Sequence, residues 1–178
     1  MHKRALSRRT VLGGSVAVGI SLALWLSEKN TSPRLYAKDV QVLLHAAYQL
    51  FPHSKLGPGA VDLHISAYLS YVLQDERIME EERHYLLKGA SWLEESAFEN
   101  YGKSFLSLAI DEKESLLHKV SRDRWGENFV YRVLNYILEA LLSAPVYGSN
   151  AKEIGWKWLE HNPGFPQPST KKEINYDL

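Results

Sequence analysis

Val130 to Leu141 reads VYRVLNYILEAL. Val130, Val133, Leu134, Ile137, Leu138 and Leu141 recur in it three and four residues apart, the spacing of one face of an α-helix. A strand with one buried face would alternate apolar and polar residues, and this run does not. The same period recurs upstream. From Lys38 to Phe51 the apolar positions are Val40, Leu43, Leu44, Ala47, Leu50 and Phe51, and Pro52 ends the pattern in a turn-rich loop holding Gly57-Pro58-Gly59. Val61, Ile65, Tyr68, Leu69 and Val72 signal a second helix, with Asp62 expected in its first turn, where the helix dipole favours an acid.

A third helical pattern runs from Met79 to Tyr101. Leu86, Ala90, Leu93, Ala97 and Tyr101 share one side, glutamates such as Glu80, Glu81, Glu94 and Glu95 fall mostly on others, and Gly102 is placed to stop the helix. Phe105 and Leu108 belong to a short connection. Asp111-Glu112 then open a helix holding Leu116, Leu117 and Val120, and Gly126 separates it from the run quoted above. No stretch sustains a period of two. These patterns predict an all-α fold, a small bundle of about five helices whose apolar faces meet one another, over residues 38–144.

Two segments flank that bundle. The C-terminal one, 145–178, concentrates Pro145, Tyr147, Gly148, Gly155, Trp156, Trp158, Pro163, Gly164, Phe165, Pro166 and Pro168 in an irregular arm. Linkers carry few aromatics, so these rings either cap the chain's own bundle or anchor in a partner's grooves. Composition leaves both open. The N-terminal segment, 1–37, begins with the basic MHKRALSRR, followed by the uncharged apolar run Val11 to Leu26, the layout of an export signal. Ser7-Arg8-Arg9-Thr10-Val11-Leu12 resembles the twin-arginine motif, with Val11 where an aromatic is usual. No small-residue cleavage site follows Leu26, so a cleaved signal and a retained inner-membrane anchor are both open.

Composition excludes several functions. Lysine and arginine together number 21, as do aspartate and glutamate, so no basic field invites nucleic acid. Cysteine is absent, which removes disulfides, thiolate metal sites and c-type haem attachment. His45, His53, His64, His84, His118 and His161 are scattered without metal-ligand spacing. Glu80-Glu81-Glu82 and Glu94-Glu95 are adjacent residues that point about 100° apart on a helix, the pattern of a solvated face rather than an acid/base pair. No nucleophile elbow and no dinucleotide fingerprint occur. The residues predict no catalytic, cofactor-binding or metal site in this chain.

The arm carries a resemblance. Tyr147-Gly148-Ser149-Asn150, Ile154-Gly155-Trp156 and Pro163-Gly164-Phe165-Pro166 resemble the C-terminal signature of the gluconate 2-dehydrogenase subunit 3 family. Leu50-Phe51-Pro52, Gly59-Ala60-Val61, Tyr101 to Phe105 and Glu112 to Leu117 look like its internal landmarks, so the likeness covers the chain from about residue 38. The resemblance implies the small subunit of a membrane-associated, periplasm-facing dehydrogenase complex. In it, a large glucose-methanol-choline-type flavoprotein holds FAD and oxidises a sugar, sugar acid or polyol, and a multihaem cytochrome c subunit, with its haem c, passes electrons on. The small subunit lends its signal to the large one and helps it mature, so the twin-arginine translocase is an implied partner, read through Arg8 and Arg9. Some relatives attach through a cysteine; lacking one, this chain would attach non-covalently. Tyr147, Asn150, Trp156 and Phe165 are then the expected partner contacts. A stand-alone exported helical binding module of the cell envelope is the alternative.

Overall fold

The computed structural model describes residues 33–168 of the chain. Arg8, Arg9 and the apolar run Val11 to Leu26 lie outside the described residues. The described elements are helical: α1 Pro33–Leu50, α2 Ile65–Gln74, α3 Glu80–Tyr101, α4 Ile110–Val120, α5 Arg124–Leu142 and the short α6 Ile154–Trp158. Three single-turn 3-10 segments join them at Phe105–Ser107, Pro145–Tyr147 and Ala151–Glu153. Among the described residues no strand forms, and the one bridge joins Ser54 to Gly57 in the loop after α1. The fold is the all-α bundle expected, among the described residues five longer helices with an arm that adds a sixth.

The helix read first in the sequence sits at the centre. α5 packs against α2, α3, α4 and α6, and it buries Phe129, Val133, Tyr136, Ile137, Ala140 and Leu141. The buried face is rotated from the expected stripe. Leu138 is 51% exposed, because Phe129, Tyr136 and Ala140 centre the contact on the opposite flank of Val133 and Ile137. Gly126, expected between helices, lies within the first turn of α5 and is buried there. A Cβ at Gly126 would overlap the carbonyl oxygen of Val120, so its bareness lets α5 leave α4 in a tight corner.

The other boundaries shift for local reasons. α1 starts at Pro33 rather than near Lys38, as proline's fixed φ suits the first helical turn. Its fully buried side chains are Val42, Leu43, Ala46 and Ala47. α2 begins at Ile65, not Val61, and Val61 is 63% exposed. Asp62 serves the preceding loop instead of the helix end: its Oδ2 accepts the N–H of Gly59 at 2.7 Å and lies 2.8 Å from Nδ1 of His53. Those bonds, the Gly59 N–H first, hold its carboxyl below the usual aspartate range. α3 ends as predicted, at Gly102 in the left-handed region with φ 65°.

Glu94 is the largest departure from the expected pattern, a carboxylate on the core side of α3. It is 7% exposed, and it accepts the backbone N–H of Phe105 at 2.8 Å while Nζ of Lys38 stands 2.7 Å away. Burial alone would raise its pKa. The bonds from Lys38, Ser104 and Phe105 outweigh that and leave it lowered. Phe105, whose N–H Glu94 fixes, has one of the largest fully buried side chains. A charged tether thus sets the turn between α3 and α4 and draws α1 to it.

Candidate partner-binding surface

The arm starts where α5 runs out of intrahelical partners. The last carbonyls of a helix have no amide four residues ahead and must find donors elsewhere. Here the arm supplies them. Ser149 Oγ donates to the Ala140 carbonyl at 3.1 Å, Trp156 Nε1 to that of Leu142 at 2.8 Å, and Asn150 Nδ2 to that of Ser143 at 2.9 Å. Three side chains cap one helix end.

Asn150 does more. Its own N–H donates to the Leu63 carbonyl at 2.9 Å, tying the arm to the turn before α2. Its Oδ1 accepts the N–H of Gly155 at 2.7 Å, which sets the first turn of α6. With φ 52° it occupies the left-handed region, which asparagine tolerates better than other side-chain-bearing residues. Gly155 follows from the same closeness: a Cβ there would overlap the Leu141 carbonyl oxygen. Lys152, Glu153 and Glu160 also have positive φ. Such residues cost about 1 kcal/mol or more each and persist where their surroundings fix them; Glu153 is fixed by its N–H bond to the Asn150 carbonyl at 2.8 Å.

The two indoles of the arm take different roles. Two residues apart on a helix, they project about 200° from one another. Trp156 points inward and is 5% exposed. Trp158 lies at the surface, 40% exposed, its Nε1 donating to the Leu56 carbonyl at 2.7 Å and its ring meeting Phe51 edge-on at 6.3 Å. Leu56 itself is 86% exposed, and Leu159 is exposed as well. Phe165, before a cis peptide to Pro166, is 86% exposed.

The four residues singled out by sequence therefore separate. Asn150 and Trp156 are buried in the chain's own packing, which realises for them the self-capping alternative. Tyr147 is half-buried, its ring 5.8 Å from that of Tyr71. Phe165 stands out in solvent. Sequence reasoning missed Ser149, Trp158 and Leu56. The Trp-Lys-Trp spacing carried the signal for an outward indole; nothing in the sequence marked Leu56.

Nearby, Tyr68 donates its hydroxyl to Glu139 at 3.0 Å. Burial and then the Glu139 charge push the phenol well above its usual range, so it stays a donor. Among the described residues no three His, Cys, Asp or Glu side chains gather to hold a metal ion, and no helix is long and apolar enough to cross a membrane. What this region offers is shape: a braced backbone with apolar side chains turned outward.

Comparison with known proteins bears on the same region. The family model described as gluconate 2-dehydrogenase subunit 3 matches residues 37–164. The match takes in Tyr147, Asn150 and Trp156 and stops one residue before Phe165. No curated protein matches the chain, and no solved structure does.

Proposed function

Because the chain belongs to the gluconate 2-dehydrogenase subunit 3 family, it is an accessory subunit of a dehydrogenase complex, and we propose that within such a complex it performs no chemistry itself. In this reading an FAD-bearing flavoprotein of the glucose-methanol-choline type is the catalytic partner, and a multihaem cytochrome c takes its electrons. The observation that supports a docking role is the arm: a backbone fixed by Asn150, Ser149 and Trp156, displaying Trp158, Leu159 and Phe165 outward, with Leu56 of the loop after α1 exposed beside Trp158. Rigid apolar anchors bind with little ordering cost.

The N-terminal segment supplies the second half of the proposal. Arg8 and Arg9, followed by the apolar run to Leu26, address the chain to the twin-arginine translocase. The flavoprotein, folded and loaded in the cytoplasm, travels to the periplasm attached to it. The test is the double change Arg8→Lys and Arg9→Lys, with the flavoprotein followed by cell fractionation. Retention of the flavoprotein in the cytoplasm is the expected result. Full periplasmic arrival sinks the escort role, and purification of the native chain as a colourless monomer would point to a stand-alone exported binding module.

A further inference from the structure

A groove runs along one flank of α3, walled by residues the arm does not use. One part, a cavity of about 480 Å³, is lined by Glu80, Glu81, His84, Tyr85, Lys88 and Trp92. A second, of about 240 Å³, continues from Trp92 past Glu95, Ser96 and Glu99 to Trp125. Along the helix axis Glu80 to Glu99 covers about 28 Å at roughly 1.5 Å per residue, the length of a helix of five turns.

Its floor is aromatic and braced. Trp92 and Trp125 meet edge to face with centroids 5.6 Å apart. The Tyr85 hydroxyl donates to the Trp125 carbonyl at 3.2 Å, and the Arg132 guanidinium lies 4.7 Å from the centre of the Tyr85 ring. Its rim is acidic at both ends, Glu80 and Glu81 at one and Glu95 and Glu99 at the other. Among the described residues Lys88 is the one lysine or arginine lining it, 5.6 Å from the centre of the Trp92 ring. Glutamates of α3 that face the body are paired, Glu82 with Arg132 and Glu94 with Lys38. Among the described residues the four rim carboxylates make no ion pair.

The charge decides the occupant. A nucleic-acid backbone would be repelled by the rim, and a small cation would leave most of the length unfilled. An amphipathic helix lays an apolar stripe into a hydrophobic groove, and basic residues near its two ends would meet the carboxylates at both ends of this one. We propose that the α3 groove receives a basic amphipathic helix of another polypeptide of the dehydrogenase complex. The proposal rests on the reading of this chain as a subunit, and it assigns a second contact face separate from the arm.

The experiment uses the full chain assembled with its catalytic subunit. A photoreactive benzophenone side chain is placed at Ser96 in the groove or at Leu159 in the arm, and the cross-linked segments are sequenced by mass spectrometry. The expected product from Ser96 joins a segment of the other subunit that is net basic and apolar at three- and four-residue spacing. Glu81→Lys with Glu99→Lys should cut that yield about fivefold or more at low salt, as like charge replaces attraction, while circular dichroism shows the helices intact. The milder pair Glu81→Gln and Glu99→Gln should cut it less. Cross-links to a second copy of this chain, to an acidic segment, or unchanged by the lysine pair would overturn the proposal. Cross-linking from Leu159 alone would leave the groove idle and the subunit reading intact; silence from both positions would remove the reading on which the proposal rests.

Discussion

Asn150 accepts the backbone N–H of Gly155 through its Oδ1 at 2.7 Å, and this bond joins the capped end of α5 to the start of α6. The other end of the same carboxamide donates to Ser143, so one side chain holds both sides of the bend. Asn150→Ala removes both bonds and places alanine at a φ of 52°. It should lower stability by about 2–3 kcal/mol, the loss expected when buried polar groups are left unpaired. Urea unfolding measures it, and amide exchange at Gly155 should quicken more than exchange in α3. A change below the error of the unfolding curve would mean the arm is held by other contacts.

Trp156→Ala should cost more, about 3–5 kcal/mol, since it empties a buried aromatic site. Trp156→Phe keeps most of the ring and gives up the bond to the Leu142 carbonyl, and should cost about 1 kcal/mol beyond repacking. Thermal unfolding of both variants separates the ring from its N–H. Equal losses would show that the hydrogen bond, not the packing, carries Trp156.

Phe165→Ala tests the opposite kind of residue. At 86% exposure the ring contributes little to the fold, and stability should stay within about 0.5 kcal/mol of the parent. Affinity for the catalytic subunit should fall by about 1–2 kcal/mol if the ring anchors there, read by calorimetry or co-purification. Unchanged affinity would assign the docking surface to Trp158, Leu159 and Leu56 without it.

Glu94 gives the fold a pH dependence of known sign. Its folded pKa lies below the usual glutamate value, so the carboxylate adds stability above the unfolded pKa, about 4.3 for a free glutamate. That contribution is lost as pH falls below this value and through the lowered folded one. Glu94→Gln should therefore be less stable than the parent at neutral pH, with the gap narrowing on acidification below about pH 4. Melting temperatures across that range provide the measurement, and a gap that stays constant with pH would assign the effect to packing alone.

What sequence made legible follows from what each signal encodes. Period and stop residues report on local backbone, so α3 with its Gly102 cap, the acidic start of α4 and the central α5 were readable. Which flank of a helix faces the core depends on its neighbours, and there the stripe through Leu138 misled. Glu94 and Asp62 look like ordinary surface acids until the backbone N–H groups of Phe105 and Gly59 are seen to bond them. The arm was recognisable by composition and motif. Its division into inward Asn150 and Trp156 and outward Trp158 and Phe165 required knowing where the carbonyls of α5 end.

The bond from the Trp158 indole to the Leu56 carbonyl closes a loop of 102 residues, and Asn150 reaches back to Leu63 in the same way. Contacts of such long separation form late, after the entropy of closing the intervening chain has been met. They become available only when α2 and α5 already stand beside each other. The seated arm is thus a certificate of completion: a binding partner that grips it distinguishes the finished chain from every partly folded form, and by binding it makes that finished form more stable.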